Sequence, residues 1–500
     1  MSDHIIHVKG DGVLDTTTPA EIDEIVRRGV EQGRIVIHLH GGLVREPRAR
    51  DTAAHLDGEY LEAGSYPVFF VYETGFLEVL RNNLHEINKE KLFRRLVRKL
   101  LKFAVAKALG SGGRSGNTLS LAPDNDVIRE HNRAKLEEEP YADLVFADDI
   151  EELSEDEEQQ FLDELANDER FQEVLQEVAN SRLEGAPEEL RSRGIVTLTR
   201  ASSESLMSQE VLDELAEDAA NTEGRGVLRG ALFLVRVVKI LRKVVKRFRM
   251  KRDHGVYATV VEETLRSLYL DNAGRVVWGT MKKDTADTFQ NVGNEPIRGG
   301  WYFVQKLGEA LAAADNPVSV SVVAHSLGSV FACNLVEYLA EARADANHPL
   351  PNDFKLDKLI FLAPAVTFAH FSATVGQRGD LVEHFRIFNL SDEIEKGYWE
   401  IPIVYNRSLL YLVSGFVETE DDGTGAFDRP LVGMERYWIQ ADVYDQPAVQ
   451  AARDFLNGDQ RDAYYSVVDA GPGRATDAPK HGKFAKNPKT LESIKYFLQE

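Results

Sequence analysis

The spacing of apolar positions divides the chain into three stretches. In the first, up to Tyr72, short β-branched and aromatic runs at 4–8, 34–40 and 66–72 read as strands. Between the first two, Ile22, Ile25, Val26 and Val30 recur at helical spacing. Thr18-Pro19 stands before them, Glu21, Asp23 and Glu24 lie in the first turn, and Gly33 follows. This alternation predicts a parallel sheet with helices on its faces. From Glu73 to about Gly300 strand patterns become rare and helices dominate. They are predicted over 89–109, around Phe161, Leu165, Phe171 and Leu175, and over 227–252, 255–270 and 276–289; 110–117 reads as a Gly/Ser-rich linker. After Trp301 the strand pattern returns. A helix over 301–313 leads to a strand over 318–323, and Val330, Phe331, Leu335, Val336 and Leu339 follow at helical spacing. Further strands are expected over 356–362, 385–390 and 463–468, with a closing helix over 488–498. No repeat of fixed period is present.

A chain of 500 residues is long enough for a large core plus an insertion. No apolar run is long enough to span a bilayer. The first residues lack a charged-then-apolar layout, so export is not expected. The single cysteine, Cys333, suits a reducing compartment and a core position, and the cytoplasm is the expected location. The net charge of −23 argues against a general nucleic-acid binder. Segment 124–223, with about 31 acids against about 8 bases, holds essentially all of that excess. The helices over 89–109 and 227–252 are apolar and basic. They admit two readings: internal neutralisation of the acidic segment with burial of their apolar faces, or peripheral contact with an anionic membrane.

The chemistry concentrates where the strand over 318–323 runs into Ala324-His325-Ser326-Leu327-Gly328 and then a helix. Strand, tight turn and helix expose a serine Oγ at the turn, and the close crossing demands small residues two before and two after it. Ala324 and Gly328 meet that demand, in an A-x-S-x-G form. A serine hydroxyl needs a base, and the base an orienting acid. On such a turn the partners follow in the chain order serine, acid, histidine. Of the 13 histidines, only His481 lies beyond Asp392. Asp392 stands just past the strand over 385–390, with Glu393 and Glu395 as competitors; the alternative is a capping acid in a loop. His481, between Lys480 and Lys483, has the alternative of a surface loop histidine. A developing oxyanion needs two backbone N–H donors. Leu327 is one candidate; the other is Gly42, or Leu43, in His40-Gly41-Gly42-Leu43. His38 and His40 share one side of their strand, but no carboxylate or cysteine at ligand spacing supports a metal there, and no metal or cofactor is expected.

AHSLG on strand–turn–helix, HGG after an earlier strand, NLSDE after a later one and a late KHG together resemble the α/β-hydrolase superfamily. The A-x-S-x-G form is similar to that of some lipases and esterases. The resemblance covers about 1–75 and 300–500. It implies an α/β fold with a mostly parallel central sheet flanked by helices. The core would comprise 1–75 and 301–500, with 76–300 as a large, mainly helical insertion or cap, and the gap from Asp392 to His481 implies another insertion around 401–450. It also implies a serine hydrolase with Ser326 as nucleophile, His481 as base, Asp392 as its acid, and Leu327 and Gly42 at the oxyanion. Carboxylic esters are the expected substrates, with lipid-like acyl groups favoured by the apolar, basic insertion. Amide, peptide or thioester cleavage on the same residues, and a non-catalytic scaffold with a hydrolase-like core, are the alternatives.

Overall fold

The computed structural model describes residues 4–42, 46–72, 76–109, 141, 147, 149–184, 205–221, 230–269, 275–291, 293, 296–397, 399–419 and 428–500. Seven strands form one sheet: β1 (Ile5–Val8), β2 (Arg34–Leu39), β3 (Tyr66–Tyr72), β4 (Ser319–His325), β5 (Leu356–Leu362), β6 (Val382–Leu390) and β7 (Arg461–Ser466). Their order is β1-β3-β2-β4-β5-β6-β7, and every neighbouring pair is parallel. Helices cover both faces of such a sheet, so its strands read as continuous apolar runs; Val320, Val322, Val323, Leu359, Ile360 and Phe361 are all buried. After β2 the chain turns towards β3, and after β4 towards β5. The crevice beyond the C-terminal ends of β2 and β4 is therefore the switch point, where ligands bind in open sheets of this kind.

The local signals explain the first helix, Pro19–Gln32. The Thr18 side chain accepts from Glu21 N–H, Glu21 reaches back to Thr18, Pro19 occupies the first turn, and Gly33 closes the helix at φ 78°. The helix Glu46–Glu62 was not expected. Its inward positions include Ala49 and Ala53 besides Leu56 and Tyr60, and small residues leave a weak periodic signal. Strand β6 starts three residues before its expected position. The last strand runs over 461–466, ahead of the expected 463–468, and Val468–Asp469 pairs instead with Ala475–Thr476 in a separate antiparallel ladder.

Between β3 and β4 the described residues contain helices and no strand; the expected linker over 110–117 lies outside them. Arg275–Asp287 packs against the helix after β4, and Gly299–Ala312 against Pro19–Gln32, so these last two helices belong with the sheet's own layers. The basic helices Lys91–Ala108 and Ala231–Arg249 bury Leu96, Leu100 and Phe103, and Leu234, Val237 and Leu241. Their cations meet the acidic segment. Lys99 lies 3.1 Å from Glu164 and 2.8 Å from Asp168, Lys107 lies 2.8 Å from Glu157, and Arg236 and Arg242 pair with Glu214 and Glu158. Internal neutralisation is thus the arrangement these side chains adopt, and membrane contact through them would have to break these pairs. No helix among the described residues is long and apolar enough to cross a membrane.

A buried ionic junction ties these helices to the segment between β6 and β7. Arg247 is fully buried and lies 2.6 Å from Glu262 and 3.1 Å from Glu263. His254 reaches Glu262 at 2.9 Å, and Arg252 reaches Asp428 at 2.7 Å. A Cβ on Gly415 would sit 2.2 Å from the Glu262 carboxyl carbon, so that position must stay glycine for the two segments to close.

Candidate active site

Register places the functional loops side by side. Leu39 of β2 pairs with Ala324 of β4, which brings His40-Gly41-Gly42 alongside His325-Ser326-Leu327. Ser326 joins β4 to the helix Gly328–Ala344 at φ 54°, a left-handed conformation rare for a residue with a side chain. Surrounding bonds hold it there. Its N–H donates to Leu362 O at 3.0 Å, and its carbonyl accepts from Ala365 N–H at 3.1 Å and from the Ser329 hydroxyl at 2.7 Å. A Cβ on Gly328 would stand 2.2 Å from Leu39 O, which is why the position two after the serine cannot carry a side chain.

His481 opens the short 3-10 turn His481–Lys486 and is buried. Its Nε2 lies 2.8 Å from Ser326 Oγ, although 155 residues separate the two. Its carbonyl accepts from His325 Nε2–H at 3.0 Å, and the two imidazoles stand 5.4 Å apart. His325 had no expected role; the sequence signal was its place directly before the serine. Burial, and then the neighbouring His325, hold the His481 imidazole well below the ordinary histidine range. It is therefore neutral and able to accept a proton.

Asp392 does not take the orienting place expected for it. Its carboxylate accepts from Tyr411 Oη–H at 2.5 Å and sits 2.6 Å from Lys396. It opens the short helix Asp392–Lys396, where these neighbours claim both oxygens. Burial would raise the Asp392 carboxyl, but Lys396 and Arg436 outweigh it and hold the group below the usual range. Of its competitors, Glu393 is exposed, and Glu395 is buried on Ser408 with burial pushing it up to about 8. His481 Nδ1 is buried and has no hydrogen-bond partner among the described residues.

The glycine loop lies directly on the serine turn. A Cβ on Gly41 would come 3.1 Å from Ser326 Cβ, and one on Gly42 would come 2.5 Å from Leu327 Cδ2. Neither Leu327 N–H nor Gly42 N–H donates to another group among the described residues. Leu43 lies outside those residues. His40 fixes the loop: its Nδ1–H donates to Gly41 O at 2.8 Å, and its Nε2 accepts from Tyr72 N–H at 3.2 Å. His38 Nδ1 lies 2.8 Å from Tyr60 Oη. The two histidines on this strand thus hold protein groups. Among the described residues, the clusters with metal-ligand spacing lie elsewhere: Asp357, Glu383 and His384 towards the opposite sheet edge, and Asp11, Asp284 and Asp287. Both already hold lysines, Lys358 and Lys355 in the first and Lys283 in the second.

Chemically, the arrangement sets a hydroxyl against a neutral imidazole in water-poor surroundings, with two open N–H groups beside it. Residues 303–393, from the helix before β4 through Ser326 to just past β6, match a family described as an alpha/beta hydrolase of unknown function (DUF900). No curated protein and no solved structure matches the chain. Together with the seven-stranded parallel sheet and its flanking helices, the family match identifies an α/β-hydrolase core.

Proposed function

We propose that the protein is a serine hydrolase of carboxylic esters working through an acyl-serine intermediate. The observation that carries this reading is the 2.8 Å contact between Ser326 Oγ and His481 Nε2, at the switch point of the sheet and on a strained turn. Ser326 Oγ attacks the ester carbonyl carbon while His481 Nε2 takes its proton. The carbonyl oxygen, now negative, accepts from Leu327 and Gly42 N–H. Collapse breaks the bond to the alcohol oxygen, which leaves with the proton from His481. Water then attacks the acyl carbon, His481 takes a proton from it, and the acid departs as the proton returns to Ser326.

Asp392 is not needed for these steps. With no carboxylate on Nδ1 among the described residues, the transient imidazolium is less stabilised than in a full triad. That favours alcohol leaving groups over amines, hence esters over amides and peptides. The basic helices had suggested lipid-like acyl groups; their internal pairing with acids adds nothing to that expectation. The unpartnered Nδ1 is also what a non-catalytic scaffold would tolerate, and one experiment separates the two. Hydrolysis of p-nitrophenyl acetate and butyrate by the wild type should fall at least about a thousandfold in Ser326→Ala. Equal rates in the two proteins would overturn the hydrolase reading.

A further inference from the structure

His325 stands among the segments that make up the site, yet no step of the reaction above uses it. It ends β4, directly before Ser326, and is buried. Its Nε2–H donates at 3.0 Å to the His481 carbonyl, which can only accept, so the proton of the neutral ring is fixed on Nε2. On its other side the ring faces the glycine loop: a Cβ on Gly41 would stand 3.4 Å from His325 Nδ1. One side chain thus reaches both the turn that carries the base and the loop beside the oxyanion donors. Ser326 Oγ is met by His481 Nε2, so His325 is not itself the base.

A histidine base is ordinarily held in place through its second ring nitrogen. His481 Nδ1 has no hydrogen-bond partner among the described residues, so that hold is missing there. The His325 bond acts on the main chain of the same residue instead. It ties the head of the turn His481–Lys486 to the last residue of β4, one position from the nucleophile. Base and nucleophile are thereby fixed to the same strand end, although 155 residues separate them. Burial keeps the His325 imidazole below the ordinary histidine range, so it stays neutral while His481, 5.4 Å away between ring centres, takes up the serine proton.

We propose that His325 is a positioning residue for the base: its bond to the His481 carbonyl holds the turn His481–Lys486 where His481 Nε2 meets Ser326 Oγ. The effect on catalysis rests on the hydrolase reading, but the anchor itself is measured without turnover.

The test compares the wild type with His325→Gln, whose amide N–H can replace Nε2–H, and His325→Phe, which keeps a ring but has no donor. His325→Leu removes the donor in a smaller volume and takes the place of the Phe variant if that protein does not fold. Amide hydrogen exchange over residues 478–487 should be at least about tenfold faster in His325→Phe and return to within about threefold of the wild type in His325→Gln. For p-nitrophenyl acetate, kcat should fall about a hundredfold in His325→Phe with KM changed less than about threefold, as a misplacement of about 1 Å predicts. His325→Gln should recover kcat to within about fivefold of the wild type. A merely structural role would lower the thermal midpoint, leave kcat per folded molecule unchanged and show no rescue by Gln. Equal exchange in all the proteins overturns the anchor, and faster exchange in His325→Phe with unchanged kcat overturns the positioning role. Fluorophosphonate labelling of the wild type tells these failures from failure of the hydrolase reading. A wild type that neither labels nor turns over removes the hydrolase and the positioning role with it, whereas a labelled wild type with unchanged kcat in His325→Phe removes only the role of His325.

Discussion

Ser326 and His481 meet as the chain order serine, acid, histidine requires, but Asp392 is held by Tyr411 and Lys396. A test follows at this scale. Where an aspartate orients the base, its replacement by asparagine costs about 10⁴ in turnover. Here Asp392→Asn should leave ester hydrolysis within about threefold of the wild type. It should also lower the thermal midpoint, because Lys396 loses its charge partner. Steady-state kinetics and thermal unfolding of the two proteins check these outcomes in turn, and a thousandfold loss of activity with unchanged stability would restore Asp392 to the catalytic set. The serine was legible because its neighbours are sterically dictated: Gly328 faces Leu39 O, and no other residue fits. The acid was not, because an aspartate after a strand end carries no mark of which side chains it will meet: Lys396 meets it only once the short helix Asp392–Lys396 forms, and Tyr411 is set by how a later segment folds back. His325 was missed for a related reason, since its bond goes to a backbone carbonyl that only the folded chain brings near.

At the scale of elements, the strands and the capped first helix were readable because each signal is local. Thr18 and Glu21 act within the first turn of the helix, and Gly33 within its last. The helix Glu46–Glu62 was hidden by its alanine-rich inner face, and the antiparallel pair after β7 is too short to show a period. Charge segregation was visible, but which partner the bases would take was not, and the structure gives them acids of the same chain. The junction through Arg247 makes a prediction of its own. Arg247 is the cation that Glu262 and Glu263 share, and none of the three is exposed. Removing one partner of a buried pair leaves uncompensated charge and costs about 3–5 kcal/mol. Arg247→Leu should therefore lose about that much in denaturant unfolding. A loss below about 1 kcal/mol would mean that the junction contributes little to holding these helices to the segment between β6 and β7.

Over the whole molecule, buried neutral histidines govern the response to acid. Burial lowers His38 to about 3 and His40 to about 4, and depresses His254 and His481 as well. The unfolded chain protonates these groups near 6.5, so below that pH it takes up protons the folded state refuses. Each such histidine removes about 1.4 kcal/mol of stability per pH unit until its folded value is reached. Glu395, raised to about 8, and Glu90 and Glu400, also raised by burial, act in the opposite direction down to about 4.5. With His325 and His348 also lowered by burial, six histidines outnumber these three carboxyls and Asp284, which burial raises as well, so the thermal midpoint should fall as pH drops from 6.5 to 4.5; a flat or rising midpoint would contradict the assignment. The low position of His481 also keeps the base competent over that range, so loss of activity there should track unfolding. The central claim is that Ser326, activated by His481, is a nucleophile. The most direct test is reaction with a fluorophosphonate followed by peptide mass spectrometry. One adduct per chain on Ser326, absent in His481→Ala, is the predicted result; an unmodified Ser326 in the folded wild-type protein would contradict it.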